Sequence, residues 1–307
     1  MDFRSPKGEV AGAPIEVTDR RLESLLLPGA QLRRLWTGGK WVEGPAVLPD
    51  HTVLWSDIPN NRVLRLGPDG SVRVDRPSHF ANGHTVDLNG DLLRCEHGRR
   101  QVVRVNDDGS TTTLVDQYMG GRLNSPNDVV VKSDGTTWFT DPPYGIASDY
   151  EGYEAPSEQP GNFVFRFDPR RDELRVATDL LEEPNGLAFS PDESILYVSD
   201  TSAASREGGN HHILAFDVGA DQQLENPRVF ASIEDGVADG FRVDADGNVF
   251  TSSAKGILIY APDGDLLGLI GVPEVVSNCT FGGPRRNCLY ITASTSLYAI
   301  DLATSAP

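Results

Sequence analysis

Six oxygen-bearing residues, Glu43, Asn82, Asn127, Asn185, Asp239 and Asn278, each stand in front of a short apolar run. In every case a turn rich in Asp, Gly, Asn or Pro follows, and then a second apolar run. Carboxylate and amide oxygens are the donors that hard divalent cations such as calcium select. Two carboxylates among several amides offset a divalent charge without the repulsion of an all-acid cage. Taken singly, an Asn or Asp beside a turn has a blander explanation, since both side chains cap backbone groups there. Recurrence in the same register is what points to a shared site.

The elements that must position these residues follow from the repeat. The phrases EGPAVLPDHTVLWSDI, NGHTVDLNGDLLRCEHG, NDVVVKSDGTTWFTDPP, NGLAFSPDESILYVSDT, DGFRVDADGNVFTSSA and NCTFGGPRRNCLYITAS recur along the chain. Repeats of roughly 40 to 50 residues with several short strands each are the mark of propeller blades. After most phrases a further strand pair follows, as in NRVLRLGPDGSVRV and QVVRVNDDGSTTTLV. This predicts an all-β fold, a six-bladed β-propeller of four-stranded blades. The last repeat is one strand short, and AQLRRLWTG, Ala30 to Gly38, is placed to close the ring from the N-terminus, protecting edges that open sheets leave unpaired. Residues 30–307 then form a single domain and residues 1–29 an N-terminal extension whose SLLLPG packs outside the ring. In a propeller the first strand of each blade lines the central channel, so the six front residues converge on one axis. The two longest repeat intervals carry insertions, PPYGIASDYEGYEAPSEQPG and TSAASREGGN, which lack strand periodicity and read as loops on one face.

Composition narrows the partners. A formal net charge of -18, from 27 Lys plus Arg against 45 Asp plus Glu, argues against nucleic acid and against an anionic membrane surface. No segment approaches the roughly 18 consecutive apolar residues a membrane helix needs, and MDFRSPKGEV lacks the apolar core of a secretory signal, so a cytoplasmic location is expected. Cys95, Cys279 and Cys288 make no metal-binding spacing and read as reduced, buried residues, although Cys279 and Cys288 could face each other across a hairpin. Neither a G-x-S-x-G elbow nor a phosphate-binding glycine loop is present. The histidines have no second His or Cys at a transition-metal spacing. His84 shares a strand face with Asn82, which leaves two readings open, a satisfied channel histidine or a substrate contact. The residues alone therefore imply a ring with a cation held by oxygen ligands at its centre.

The phrases EGP from Glu43, RLNSPNDVVV, DPPYG, EPNGLAFSPD, DG from Asp239 and SNCTFGG together resemble the gluconolactonase, regucalcin (senescence marker protein) and luciferin-regenerating enzyme family, closest to its microbial gluconolactonase branch. The resemblance covers Glu43 to the C-terminus. It implies a catalytic divalent cation, calcium first, with magnesium, manganese or zinc as alternatives, held by Glu43, Asn127, Asn185 and Asp239. It implies general-base catalysis by Asp239, pure ligation with Asp128 as base being the other reading. Asp128 is also expected to buttress Asn127. Asn82, His84, Arg122, Asp128, Tyr144 and Asn278 are the expected partners of the substrate hydroxyls. The animal branch carries an arginine two residues before its PND-like asparagine, whereas this chain has Ser125, so substrate orientation does not carry over intact. The activity implied is calcium-dependent hydrolysis of a sugar lactone such as glucono-1,5-lactone to its acid. The alternatives are phosphotriester hydrolysis of the diisopropylfluorophosphatase type, or a non-catalytic calcium-binding propeller. Oligomeric state is not legible in the outer strands.

Overall fold

The computed structural model describes residues 8–10 and 13–307; residues 1–7, 11 and 12 of the expected extension lie outside the described residues. Six antiparallel sheets form the blades, and a small two-stranded hairpin, Gln117–Tyr118 with Gly121–Arg122, stands apart from them. Their innermost strands are Val42–Val47, Ala81–Val86, Val129–Val131, Pro184–Phe189, Phe241–Val243 and Val276–Gly282. Each inner strand touches the next, and the last touches the first, so the ring closes. Second strands are sandwiched between neighbouring blades and are apolar accordingly. Val53–Asp57, Leu92–Glu96 and Thr137–Asp141 are buried along their whole length, with Trp55 and Trp138 among the largest buried side chains.

Closure comes from the segment expected to supply it. Arg33–Thr37 pairs antiparallel with Ser296–Asp301 as the fourth strand of blade VI, with Ser296 opposite Thr37 and Leu297 opposite Trp36. The described part of the extension adds more than the sequence suggested. Ile15–Val17 is a fifth strand on blade V, and Gly8–Glu9 a fifth strand on blade VI. A 3-10 turn, Arg20–Leu25, tucks Leu22 and Leu25 against Leu267, Ile270 and Leu302. Cys95, Cys279 and Cys288 are free and buried, as expected. Cys279 and Cys288 do not face each other, because Cys279 pairs with Ile291 and Cys288 with Gly282.

Two repeated devices fix the front residues. At the end of the second strand a buried acid caps the chain entering the inner strand. Asp57 accepts from Lys40 N at 3.0 Å, Asp141 from Asn124 N at 2.8 Å and Asp200 from Glu182 N at 2.7 Å. Around the channel, the backbone carbonyl of one front residue after another accepts from the preceding blade. Ser56 Oγ donates to Asn82 O at 2.8 Å, Gly83 N to Asn127 O at 2.8 Å, Thr140 Oγ1 to Asn185 O at 2.7 Å and Gly186 N to Asp239 O at 3.0 Å. Gly240 N donating to Ser277 O at 2.7 Å and Ser277 Oγ donating to Val42 O at 2.6 Å complete the circuit.

That closeness explains the glycine that follows four of the six front residues. A Cβ on Gly44 would lie 2.1 Å from Asn82 O, one on Gly186 2.4 Å from Asp239 O, and one on Gly240 2.0 Å from Asn278 Cγ. Gly44 also has a φ of +52°. We expect Gly44→Ala to destabilise the protein by about 3 kcal/mol or more, through backbone strain and overpacking against a hydrogen-bonded neighbour. Denaturant melts of the variant beside wild type measure it.

Much of the acidity is structural as well. Asp69, Asp108 and Asp192 each accept hydrogen bonds from a serine two residues on, closing a hairpin turn. These bonds hold Asp69 and Asp108 below the usual carboxylate range, and the Ser190 hydroxyl, donating to Asp192 at 2.6 Å, together with Ser194 brings Asp192 down to about 2.

Candidate active site at the hub of the ring

The inner strands leave register with their second strands near the front residues, between Glu43 and Ala46, Ala81 and His84, Pro184 and Leu187, and Val276 and Asn278. Such bulges re-aim side chains. Two of the freed side chains, Glu43 and Asn278, meet across the closure of the ring. Glu43 is 3% exposed; its Oε2 accepts from Gly44 N and, at 3.0 Å, from Asn278 Nδ2, while Oε1 has no partner. Asn278 Oδ1 is already taken by Cys279 N at 2.8 Å. Asn278, expected as a substrate contact, is thus committed to orienting Glu43. Asn82 Nδ2 pairs with His97 Nε2 at 3.4 Å and its Oδ1 is buried without a partner. Asn127 is 4% exposed, and its amide has no protein partner among the described residues.

Asn185 shows how an amide is turned to present oxygen. Its Nδ2 donates to Thr201 Oγ1 at 3.2 Å, which leaves Oδ1 as the open acceptor, and the amide offsets part of the rise in the Asp239 carboxylate. Tyr144 joins the same chain, its hydroxyl bonded to Thr201 Oγ1. Should the hub hold a cation through Asn185, Thr201→Val is expected to weaken its binding about tenfold by releasing the amide, with Thr201→Ser close to wild type; calorimetric titration of each variant reads this directly.

Burial and mutual repulsion raise the hub carboxylates. Burial, then the Asp239 and Asp128 carboxylates, push Glu43 well above the usual carboxylate range. Burial, then Glu151, push Asp239 up to about 8. Carboxylates crowded this way keep protons unless a cation offsets them. Glu43 Oε1, Asn82 Oδ1 and Asp128 Oδ2 are all buried acceptors that lack a hydrogen-bond donor. An oxygen-liganded divalent cation fits this donor set. Among the described residues no three His, Cys, Asp or Glu side chains are gathered to hold a metal by themselves, so such an ion depends on the Asn amides.

Below the hub, Asp128 Oδ1 accepts from Val129 N at 2.9 Å and Oδ2 lies 3.5 Å from Arg242 Nη1. His84 Nδ1 bonds Gly44 O at 2.8 Å, so Nδ1 carries the proton. Burial pushes His84 down to about 3, and its Nε2 is an acceptor without a partner. Arg122 is elsewhere. It is exposed, its guanidinium donates to Arg99 O at 2.8 Å, and its contacts among the described residues include none of the hub residues.

The first insertion is folded over the site. It contains a short helix, Tyr144–Ala147, and is clasped by Ser125, whose Oγ donates to Pro142 O at 2.6 Å and accepts from Gly145 N at 2.9 Å. His97 Nδ1 donates to Glu151 O at 3.1 Å, and burial pushes that imidazole down to about 4. The loop thereby sets Glu151 within electrostatic reach of Asp239, and burial raises Glu151 itself to about 7. Glu151, His97, Thr201 and Arg242 escaped the sequence reading. Arg242 alone left a signal, as a cation inside the otherwise apolar inner strand Phe241–Val243.

With this geometry in hand, the comparisons are direct. Residues 41–295 match the family model described as SMP-30/Gluconolactonase/LRE-like region. The chain belongs to this family. Within it, the gluconolactonase of Zymomonas mobilis is 34% identical over 92% of this chain and 85% of its own. A 6-deoxy-6-sulfogluconolactonase of Pseudomonas putida is 32% identical over 80% of each chain. The solved structure of a gluconolactonase from Xanthomonas campestris superposes with a TM-score of 0.91, at 41% identity and 97% coverage of both chains. Ser125, the residue two before Asn127, has a structural role of its own. Its hydroxyl clasps both ends of the turn that carries Tyr144.

Proposed function

We propose that this chain is a divalent-cation-dependent lactone hydrolase whose substrate is an aldonolactone such as glucono-1,5-lactone. The observation that carries the reading is the ring of open acceptors, Glu43 Oε1 and Asn82 Oδ1 beside Asp239 and the Asn185 amide, in a member of a family whose relatives are named for lactone hydrolysis. Glu43, Asn127, Asn185 and Asp239 would hold the cation, calcium being the match for a mixed carboxylate and amide set. When bound, the ion polarises the lactone carbonyl and offsets the charge that water attack places on its oxygen.

The chain's own residues supply the rest. Asp239 accepts the proton of the attacking water at a carboxylate oxygen; its backbone is pinned by Gly186 N and by its own N–H donating to Ser252 Oγ at 2.7 Å, so the carboxylate is held in place. Asn278 and Gly44 hold Glu43, and Thr201 holds Asn185. Asn82, Tyr144 and Glu151 offer acceptors and a hydroxyl to the substrate's own hydroxyls. The insertion over the mouth limits water at the hub.

A pH-stat assay with glucono-1,5-lactone, before and after chelation, tests the reading. Acid release should collapse on chelation and return with calcium. Turnover indifferent to the chelator would remove the metal from the mechanism, and a folded, calcium-binding protein with no turnover would favour the non-catalytic propeller.

A further inference from the structure

One side chain joins the first insertion to the wall of the channel. His97 is 1% exposed and directly follows the second strand Leu92–Glu96. Its ring stands between two partners. Nδ1 lies 3.1 Å from the carbonyl oxygen of Glu151, in the insertion, and Nε2 lies 3.4 Å from Nδ2 of Asn82, on the inner strand Ala81–Val86. The ring is confined as well. The turn after Tyr144 packs on it so closely that a Cβ on Gly145 would lie 2.4 Å from His97 Cβ and 2.6 Å from its Cγ. Backbone strain is concentrated beside it, since His79 and Phe80 hold φ of +59° and +55°, a region that such side chains rarely adopt. This strained pair receives the chain at His97, Phe80 O accepting from His97 N at 3.1 Å and His79 O from Gly98 N at 2.9 Å. The Phe80 ring meets Tyr153 of the insertion edge-on at 5.2 Å.

The Glu151 carbonyl decides where the ring proton sits. A carbonyl oxygen only accepts, so Nδ1 carries the proton and donates it, which leaves Nε2 with a lone pair. That lone pair needs a donor opposite it, and the Asn82 side chain supplies one through Nδ2 alone. The Asn82 amide is thereby held in one of its two orientations. Turned over, it would set two acceptors, Oδ1 and Nε2, against each other in a buried contact. As it stands, Oδ1 is a buried acceptor without a partner. The backbone of Asn82 is pinned too, its carbonyl accepting from Ser56 Oγ at 2.8 Å.

We propose, resting on the lactonase reading, that His97 is a positioning residue: it holds the Asn82 amide so that Oδ1 receives a hydroxyl proton of the lactone, and it ties that orientation to the seating of the insertion through Glu151 O. His97 acts through Asn82 and touches no substrate itself. A hydroxyl that donates to Oδ1 does so before water attack as well as during it, so the contact contributes to binding and its loss appears in KM. Two substitutions separate the halves of the imidazole. An Asn amide nitrogen reaches about as far as Nδ1, whereas a Gln side chain extends to where Nε2 stood.

The test measures kcat and KM of the calcium-loaded full chain for glucono-1,5-lactone, with a melt of each variant. His97→Asn, which can still donate to Glu151 O, should raise KM about fivefold and leave kcat within about twofold, because the Asn82 amide is no longer held as an acceptor. His97→Gln, whose side-chain oxygen can accept from Asn82, should recover most of that loss. In an Asn82→Ala background, His97→Asn should raise KM no further. Nitrogen NMR of histidine-labelled wild type should show His97 as a neutral imidazole protonated at Nδ1, its signal assigned by its absence in His97→Gln. This readout stands even if His97→Asn fails to fold. A proton on Nε2, an unchanged KM in folded His97→Asn, equal effects of Asn and Gln, or full additivity with Asn82→Ala overturns the inference alone. Failure of wild type to hydrolyse the lactone overturns the lactonase reading and this inference with it.

Discussion

Asp239→Asn should lower kcat/KM for glucono-1,5-lactone by about 10³-fold, with a folded protein as the product. The amide can still offer an oxygen to a cation, but it cannot take a proton from water, and it removes one of the two carboxylates proposed as ligands. Stability should move in the opposite direction. The Asp239 carboxylate is pushed up to about 8 by burial and by Glu151, so in metal-free protein its ionised form is a liability. At pH 8 the metal-free Asn variant should melt above metal-free wild type, the usual trade between function and stability at a charged site. Stopped assays and calorimetric melts of the same samples decide the matter. Full activity in the variant would move the base elsewhere, with Asp128 the next group to test. Activity lost only in step with unfolding would support a cation that ties the blades together and nothing more.

If the hub holds the proposed cation, chelation should add to the pH dependence of stability. Groups whose folded pKa is raised bind protons more tightly folded than unfolded, so the stability they contribute is complete at low pH and lost as pH rises through the folded value. Glu43 is raised, Asp239 reaches about 8, and Glu151 and Asp141 reach about 7, with burial the leading cause in each case. His84 and His97 work the other way. Burial lowers them to about 3 and about 4, so their contribution grows with pH until the ordinary histidine value near 6.5 and is constant above it. The two trends oppose each other below that point, and the carboxylates act alone above it. The metal-free protein should therefore lose about 1 to 3 kcal/mol between pH 6.5 and pH 8, seen as a fall in Tm of a few degrees. A bound cation keeps the hub carboxylates ionised, so the gap between calcium-loaded and chelated melts should widen over the same interval. A constant gap would mean that the hub carboxylates are not where the cation binds.

The ring itself was legible because its cause is local and repeated. Each blade needs a two-residue alternation, a turn closed by an Asp or Gly, and a second strand apolar enough to lie between neighbours, and all three are written six times. The polar-Gly pairs at Glu43, Asn82, Asn185 and Asp239 were equally visible, although their reason was not. Only the packed ring shows that a side chain on the second residue would run into the next blade. Closure by Arg33–Thr37 followed from counting strands, whereas the added strands Ile15–Val17 and Gly8–Glu9 did not, since an edge of two or three residues carries no period to detect.

For the site, sequence placed each front residue at or just before its inner strand, because that place is set within the blade. Tertiary structure decided what surrounds them. Asn278 became a support for Glu43, and Arg122 stayed outside. Glu151 and Thr201 arrived from loops without periodicity. Those assignments depend on contacts between residues far apart in the chain, such as Asn278 with Glu43 across the closure of the ring. No local pattern encodes such contacts, because they exist only once the six blades have met.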